Sequence, residues 1–595
     1  MIRTACGLDC PDACGIVSSK ELFPKVIADT THPTSDGTLC SLINHHIHSQ
    51  DRLTKPIIDG KEVSMSEALD AVAKALSVDK KLLWRGSGNF GIMQEITNLL
   101  FKAIDGTTTK GSLCDGSGDA GILAGRGINR ILPPSQIEKS EVVVVWGKNV
   151  TVTASHLMPY IKNKKLIVID PVKTEIAKEA DIFLQIKPRM DFYLAILLAR
   201  FIIMQNHENR DYLDEWGSEY EDFYDFTREF RIKPILEHIG VDLNILGNIV
   251  ELIKDSRVVF LVGNGVQKYS IGNFVLHAID SLATLLGLFG KEGSGVAFIG
   301  NSKLGLKNPF DVNTKKVQKA TTNFGEFETV LIQGGNPAES MPSSTRVKES
   351  LSKVKNLIYF GLYENETSKM ANIIIPAKNF FEKNDIRFSY SSYIVSPMRK
   401  IIDSPIGISE YDFTRYLMEK FNFYDLKDEN YYIDFILNQC KQIENHFLSP
   451  AYQEFPYKSG FGEDGGDEFE FIDDFYDDFE KIKKFQRISK NRKIEEDGKY
   501  FLITPKAKNA LNTQFKRDNK IYLNPKSGFV DEEEIIAISP YGKHKFIVKN
   551  SDSLREDSVL IYANAIGVNY LTPPIVSEEG NSACYQEVKI ELKKV

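Results

Sequence analysis

The chain has 595 residues, of which 73 are lysine or arginine and 81 are aspartate or glutamate, giving a formal charge of -8. This length exceeds what one hydrophobic core organises and indicates three or four structural domains. The acidic balance argues against a nucleic-acid partner, which would need a concentrated basic surface, and seven cysteines are too few for a disulfide framework.

Two features bear on location. Met1 leads almost directly into Cys6, which leaves no room for a secretory signal. The apolar stretch from Phe192 to Met204 is interrupted by Arg200 and is shorter than the roughly 20 residues of a membrane span. We therefore expect a cytoplasmic protein with no direct membrane span.

The first predicted unit, residues 1–56, is a small strand-rich module around four cysteines. Cys6, Cys10, Cys14 and Cys40 have the spacing C-x3-C-x3-C-x25-C. Three thiolates on one short loop and a distant fourth suit the corners of a [4Fe-4S] cluster. Zinc is the alternative, although structural zinc sites favour two separated pairs of ligands.

Residues 57–450 are predicted to form an α/β core, because short apolar strands alternate with amphipathic helices. The clearest predicted strands are 142–146, 166–169, 258–262 and 329–332. Each runs into glycine, asparagine or aspartate, and ligands of open α/β sheets bind beyond the carboxyl ends of the strands. The strand and loop groups near 142–191 and 258–336 suggest two related nucleotide-binding halves.

Residues 451–498 are predicted to be an acidic linker or insertion. Phe471, Phe475 and Phe479 recur every four residues, which predicts a surface helix with one apolar face. A docking surface for a basic partner is the alternative. Residues 499–595 return to short β-like runs at 500–503, 535–538 and 545–548 and predict a closing β-rich domain.

These motifs, in this order, resemble the molybdopterin oxidoreductase family, which includes formate dehydrogenases, periplasmic nitrate reductases and thiosulfate or polysulfide reductases. The cysteine loop 6–14 resembles the family's cluster loop, and residues 37–40 resemble its fourth-ligand segment. The resemblance implies a four-domain α/β architecture with an N-terminal [4Fe-4S] module, two nucleotide-binding α/β domains and a C-terminal β-barrel. It also implies a bis-molybdopterin guanine dinucleotide cofactor carrying Mo or W.

The resemblance also implies fourteen cofactor-binding residues. The first dinucleotide segments supply Gly147, Asn149, Asp170 and Asp191, and a loop near the metal supplies Gly263, Gly265 and Gln267. The second dinucleotide site is matched at Gly335, Asn336, Glu366 and Thr367, and the closing barrel at Asn512, Gln514 and Asn569.

Cys114 lies where relatives carry the residue bound to the metal, and a thiolate is a soft ligand suited to that role. A buried structural cysteine is the alternative. Asp115 follows it, where formate dehydrogenases typically carry histidine, so formate oxidation is less favoured. Asp115 is a candidate proton acceptor, with a helix-capping role as the alternative. Ser41 follows Cys40, where relatives usually place a cation that assists electron transfer.

His45, His46 and His48 are crowded on a predicted short helix, which indicates a solvated or packed helix rather than a second metal site. Three functions remain open. The first is a molybdenum or tungsten oxidoreductase performing two-electron chemistry on a small substrate, with electrons relayed through the cluster to a partner protein. The second is a non-redox hydratase or lyase using Asp9 or Asp12, and the third is an electron-transfer subunit without the pterin.

Overall fold

The computed structural model describes residues 1–19, 25–33, 35–47, 51–300, 303–442, 448–449, 461, 467–472 and 499–595. Within these residues the chain forms two large sheets flanked by helices, a small N-terminal sheet and a closed β-barrel. The predicted α/β class and the predicted C-terminal β-barrel are confirmed. The division into four domains and the N-terminal cluster module stay predictions.

The N-terminal sheet is antiparallel and positions the cysteine loop. Its strands, in sheet order, are Ile2–Ala5, Gly15–Ser18 and Val26–Ala28. The loop 6–14 connects the first two strands as a hairpin, and the Cys6 N–H donates to the Cys14 carbonyl at 2.9 Å. Three cysteines are therefore held on one closed loop.

The short helix Leu42–Ile47 follows Cys40 and packs through His46. The His46 ring stacks on Phe380 with centroids 4.5 Å apart, and its Nδ1 is 2.6 Å from the Tyr363 hydroxyl. Burial lowers the pKa of His46 to about 3. His46 is thus a packed side chain, while the side chain of His45 and all of His48 lie outside the described residues.

A five-stranded parallel sheet forms the first large layer. Its strands, in sheet order, are Ile182–Leu184, Lys165–Ile169, Val142–Trp146, Val258–Val262 and Gly295–Ala297. The helices Asp191–Met204 and Gly272–Leu285 cover one face, and Pro134–Lys139 and Met158–Ile161 cover the other. Because both faces of the sheet are buried, its central strands are continuous apolar runs, and such runs can be predicted from the sequence.

An eight-stranded sheet forms the second large layer. Its strands, in sheet order, are Lys315–Gln318, Thr107–Lys110, Lys81–Arg85, Thr329–Gln333, Asn356–Gly361, Ile373–Pro376, Ile57–Ile58 and Lys61–Glu62. The first six are parallel and the last two form an antiparallel edge. The helices Met65–Leu76, Thr97–Ala103 and Glu410–Lys420 pack on one face, and Ser344–Leu351 packs on the other.

The order of the strands corrects one prediction. The strand Val258–Val262 pairs with Val142–Trp146, whereas Thr329–Gln333 pairs with Lys81–Arg85. The proposed halves 142–191 and 258–336 are therefore wrong, because the five-stranded sheet is inserted between the segments that build the eight-stranded sheet. Local sequence pattern predicts a strand, but its neighbours come from distant segments.

Smaller elements complete the described chain. A four-stranded antiparallel sheet has the order Asp385–Phe388, Val395–Met398, Leu448–Ser449 and Lys441–Gln442. The remaining α-helices of the described ranges are Gly116–Arg126, Val150–Thr153, Arg210–Trp216, Tyr220–Arg228, Ile232–Ile239, Leu243–Ile253, Pro337–Ser340 and Glu429–Leu437. None of the helices in the described ranges is long and apolar enough to cross a membrane.

The acidic segment departs from the prediction where it is described. Phe469–Glu470 is a short strand paired with Gly217–Ser218, and Phe469 and Phe471 are buried against the helices of the five-stranded sheet. The predicted surface helix is therefore wrong at Phe471, because its ring enters the core. Phe475 and Phe479 lie outside the described residues.

The C-terminal barrel closes over the two large sheets. Its six strands, in barrel order, are Tyr500–Ile503, Ser558–Leu560, Lys520–Leu523, Gly542–Asn550, Glu534–Ser539 and Lys589–Lys594. A second, two-stranded ladder, Ala510–Leu511 with Gln514–Phe515, forms the loop that leaves the first strand. The three predicted β runs coincide with three of the barrel strands.

Candidate active site

One large cavity lies where the two parallel sheets face the barrel. Its volume is about 1440 Å³, which is larger than the roughly 300–1,000 Å³ of typical small-ligand pockets. The walls come from loops that follow strands of both sheets, from the barrel loops and from the cysteine loop. The carboxyl ends of parallel strands share one edge, so loops distant in sequence meet here.

Twelve of the fourteen cofactor-binding residues predicted from the sequence line this cavity. They are Gly147, Asn149, Asp170, Asp191, Gly263, Gly265, Gly335, Asn336, Glu366, Asn512, Gln514 and Asn569. Gln267 and Thr367 lie behind the wall, where Gln267 accepts a hydrogen bond from the Gly118 N–H at 3.0 Å. The structure therefore brings the predicted set together, while cofactor binding by these residues stays a prediction.

Two of the glycines are required where the loops of the five-stranded sheet meet. Gly147 has φ +58°, a conformation that side chains other than glycine rarely adopt. A Cβ on Gly263 would lie 2.0 Å from the Gly147 carbonyl oxygen. These residues let two strand-end loops touch, so they shape the wall of the cavity by backbone contact.

Cys114 follows the strand Thr107–Lys110 and its thiol faces the cavity. The Asn264 amide donates to Cys114 Sγ at 3.2 Å, and the Ser112 hydroxyl accepts from the Cys114 N–H at 2.8 Å. The Gln267 amide and the Lys268 ammonium both donate to the Cys114 carbonyl. The thiol is thus contacted by Asn264, and the backbone of Cys114 is held by loops from both large sheets.

Asp115 occupies the position before the helix Gly116–Arg126, but its side chain makes no capping hydrogen bond to that helix. Its Oδ1 instead accepts from the Ser112 hydroxyl at 3.0 Å, and the residue lines the cavity. The capping alternative is therefore wrong for this side chain. Its role as a proton acceptor stays a prediction.

Three lysines line the cavity, interact electrostatically with Cys114 and were not predicted: Lys268, Lys319 and Lys506. Burial lowers the pKa of Lys268, and burial followed by the Arg85 charge lowers the pKa of Lys319 to about 8. Lys506, from the barrel, lines the cavity and makes no hydrogen bond or ion pair with the described part of the chain. Burial opposes its charge, but the Asp9 and Cys114 charges outweigh that effect and raise its pKa.

Burial, followed by the Asp115 charge, raises the pKa of the Cys114 thiol, whereas Lys268 and Lys506 act in the opposite direction. The surrounding ammonium groups favour an anion at this end of the cavity. Lys268 could have been suspected because it directly follows the predicted loop 263–267. No sequence motif around Lys506 predicts that it lines the cavity, because only the fold of the barrel brings it there.

The five-stranded sheet presents two buried carboxylates to the cavity. Asp170 accepts from the Val172 N–H at 2.8 Å, and Asp191 accepts from the Trp146 indole at 2.8 Å. Burial raises the pKa of Asp170 to about 7 and that of Asp191 to about 6. The second oxygen of each carboxylate has no hydrogen-bond partner in another described residue, so each can accept a donor from a ligand.

The eight-stranded sheet presents a satisfied network at the equivalent edge. Asn336 Oδ1 accepts from the Thr367 hydroxyl at 2.9 Å, and its amide donates to Glu339 at 2.8 Å. Glu366 is paired with Lys369 at 3.0 Å. Asn336 and Thr367 therefore hold two loops together, and only part of their polar surface is open to a ligand.

The three predicted residues of the C-terminal barrel region form hydrogen bonds with other parts of the cavity wall. Asn512 donates to Asp9 at 3.1 Å, Gln514 donates to the Gly88 carbonyl at 3.2 Å, and Asn569 donates to the Glu339 carbonyl at 2.6 Å. Each of the three links the barrel to another part of the wall.

The four N-terminal cysteine thiols are electrostatically coupled. Burial, followed by the charges of neighbouring groups, raises the pKa of Cys6 to about 11 and the pKa values of Cys10 and Cys14 well above the ordinary value. The Cys40 thiol also contributes to raising each of these three pKa values. In the described ranges no three His, Cys, Asp or Glu side chains converge on a single metal ion.

The two aspartates of this loop have different surroundings. Asp12 is buried and ion-paired to His156 Nδ1 at 2.7 Å, and His156 Nε2 is 3.9 Å from Cys14 Sγ. Asp9 lines the cavity, where it accepts from the Tyr390 hydroxyl at 3.0 Å. Of the two, Asp9 is the carboxylate that faces the cavity.

The family profile described as molybdopterin oxidoreductase matches residues 52–420, more than half of the chain and nearly all of both large sheets. The chain belongs to the molybdopterin oxidoreductase family. The family predicted from the sequence is thereby confirmed.

Several proteins with curated descriptions resemble this chain at low identity. The probable oxidoreductase YyaE of Bacillus subtilis (strain 168) is 26% identical over 66% of this chain and 64% of its own length. The probable oxidoreductase YoaE of the same organism is 22% identical over 100% of this chain and 98% of its own length. The F420-dependent formate dehydrogenase subunit alpha of Methanocaldococcus jannaschii is 25% identical over 76% of this chain and 74% of that protein.

A solved structure of the same fold is acetylene hydratase from Pelobacter acetylenicus. It superposes with a TM-score of 0.78 over 100% of both chains, at 13% sequence identity. At this identity the likeness shows the fold alone, and a fold does not by itself determine the reaction.

Proposed function

We propose that this protein is a molybdenum- or tungsten-dependent oxidoreductase that performs two-electron chemistry on a small substrate and relays the electrons through a [4Fe-4S] cluster. The observation that carries the proposal is the Cys114 thiol, which faces a cavity of about 1440 Å³ that three lysines also line. Membership of the molybdopterin oxidoreductase family supports it.

The residues of the cavity fit a bis-molybdopterin guanine dinucleotide. Asp170 and Asp191 have open acceptor oxygens at one end, and the buried Asn264 Oδ1 beside Cys114 has no partner among the described residues. Such atoms are expected to bind a ligand, because an unsatisfied buried polar atom is costly. When bound, the cofactor would supply a metal that exchanges two electrons.

The cysteine loop fits an iron–sulfur cluster. Buried thiols with raised pKa values are neutral unless a metal displaces their protons. A four-iron cluster takes one thiolate per iron, so its ligands need not converge on one point as those of a single ion do. Cys6, Cys10, Cys14 and Cys40 would hold it.

The proposal gives a separate role to each of several residues of the chain. Cys114 would ligate the metal, with its carbonyl fixed by Gln267 and Lys268. Asp115 would accept a proton from the substrate. Cys40 is exposed, and an electron-transfer partner protein would dock on that side. We place the protein in the cytoplasm, where its seven free cysteines would stay reduced.

Replacement of Cys114 by alanine tests the proposal. We expect turnover to fall by about 10³-fold or more, because a metal ligand acts in every step, while iron content stays at the wild-type value. The matched control is Cys440→Ala, since Cys440 is partly buried and lies outside the cavity lining. Retained activity in Cys114→Ala, or a wild-type protein without Mo, W and guanine nucleotide, would contradict the proposal.

A hydratase is the second candidate, and one observation favours it. Asp9 lies in the cavity between the Tyr390 hydroxyl and the Asn512 amide, where a carboxylate could move a proton to or from a substrate. Assays with and without an electron acceptor separate the two candidates. Turnover that needs no acceptor, and leaves the cluster oxidised, would favour the hydratase.

A further inference from the structure

Arg387 is a buried cation beneath the cysteine loop. It lies in the strand Asp385–Phe388 and its side chain has no solvent exposure. Its Nε donates to the Cys6 carbonyl at 3.2 Å, and its Nη2 donates to the carbonyls of Leu8 at 3.2 Å and Cys10 at 2.5 Å. One guanidinium thus binds three carbonyls of the loop that carries three of the cysteines.

No carboxylate of the described chain balances this charge. The other contacts of Arg387 are the Phe388 carbonyl at 2.5 Å and the rings of Phe90 and Tyr390, whose centroids are 4.3 and 5.7 Å from the guanidinium carbon. Carbonyl dipoles and aromatic faces offset part of the cost of burying a cation, but a full charge in the interior normally has an anionic partner.

The loop that Arg387 contacts would itself hold the missing partner. The guanidinium donates to the carbonyls of Cys6 and Cys10, two of the residues whose thiols would bind the cluster. Four thiolates bound to an iron–sulfur cluster carry a net negative charge, which becomes more negative by one when the cluster takes up an electron. A fixed cation nearby stabilises the reduced form more than the oxidised form.

We infer that Arg387 is the counter-charge of the iron–sulfur site: it orders the cysteine loop and raises the reduction potential of the cluster bound there. The inference rests on the proposed function, since it requires the cluster. Electron uptake makes and breaks no bond at Arg387, which acts through its charge and its three carbonyl contacts. Ser41, which follows Cys40, brings no charge, whereas Arg387 reaches the cysteine loop from the distant strand Asp385–Phe388.

The test is a redox titration of the reconstituted full-length protein, followed by electron paramagnetic resonance. In Arg387→Met we expect the ratio of reduced to oxidised cluster, at the wild-type midpoint potential, to fall about tenfold, equal to a 59 mV shift for a one-electron couple. Arg387→Lys keeps the positive charge, so the ratio of reduced to oxidised cluster should stay within about threefold of the wild-type ratio. Arg399→Met is the matched control, because Arg399 is exposed beyond the neighbouring strand, and it should leave the potential unchanged.

Each outcome decides the inference. An Arg387→Met protein with full iron content and an unchanged potential overturns it. If Arg387→Met fails to assemble the cluster, Arg387→Lys decides, since a retained charge should restore both iron and potential, and failure of the lysine variant overturns the counter-charge role. A wild-type protein that binds no cluster overturns the proposed function itself, a result distinguishable from failure of Arg387 alone.

Discussion

The two large sheets present their carboxyl ends to one cavity with different chemistry. The five-stranded sheet offers Asp170 and Asp191, buried carboxylates that each keep an open oxygen. The eight-stranded sheet offers Asn336 and Thr367, which satisfy each other. In the sequence a glycine and asparagine turn follows a strand of each sheet, at 147–149 and 334–336, whereas Asp170 directly follows the strand Lys165–Ile169 and Asp191 begins a helix. Similar turns therefore stand near open carboxylates on one sheet and within a satisfied hydrogen-bond network on the other.

The largest effect on nucleotide binding is expected from a substitution at the edge of the five-stranded sheet. Asp191→Asn keeps an acceptor for the Trp146 indole but replaces the open oxygen with a donor, so we expect guanine nucleotide to bind about 10- to 100-fold more weakly, the scale of a lost charged hydrogen bond. Nucleotide retained after dialysis measures this. Asp181→Asn, which lies outside the cavity lining, is the control, and equal losses in both variants would remove the distinction between the edges.

On the eight-stranded side, Thr367→Val should act on stability. The change removes the donor to Asn336 and leaves the Ala338 N–H, which donates to the Thr367 hydroxyl at 3.1 Å, without its acceptor. We expect the free energy of unfolding to fall by about 1–3 kcal/mol, measured by urea denaturation, with nucleotide content retained. Loss of nucleotide at unchanged stability would reverse the assignment of this edge.

The buried carboxylates of the five-stranded sheet also predict how the stability of the cofactor-free protein depends on pH. Because the pKa of Asp170 is raised to about 7 and that of Asp191 to about 6, the folded state holds protons that the unfolded chain has released. These groups therefore lower stability progressively as pH rises from about 4 to about 7.

Asp170→Asn should flatten this slope and gain up to about 4 kcal/mol at pH 7, since one pKa unit corresponds to about 1.4 kcal/mol, read from thermal unfolding across the pH range. Thr367→Val removes no titrating group and should leave the slope as in wild type. A slope in Asp170→Asn as steep as that of wild type would count against the open carboxylates.

The smallest effect is expected at Glu366. Its carboxylate is paired with Lys369 near the surface, and such pairs contribute little. We expect Glu366→Gln to change nucleotide retention less than about threefold. A loss as large as that in Asp191→Asn would show that the two edges bind ligand alike.

Much of the fold was predictable. The strands Val142–Trp146, Val258–Val262 and Tyr500–Ile503 match their predicted bounds, because a buried strand is a continuous apolar run between turn residues. The halves 142–191 and 258–336 failed because strand order depends on pairing between distant segments. The helix predicted at Phe471 failed because spacing alone does not distinguish a surface stripe from rings that enter a core.

By itself the sequence determined the family, the clearest strands and twelve of the residues that line the cavity, because motif order and burial leave local patterns. Only the tertiary structure decided which carboxylates keep an open oxygen, which amides have all their hydrogen bonds made within the protein, and that Lys506 reaches the cavity beside Cys114 and Arg387 reaches the cysteine loop. Those properties depend on the distances between side chains from separate elements, and such distances exist only once the sheets, the cysteine loop and the barrel have packed together.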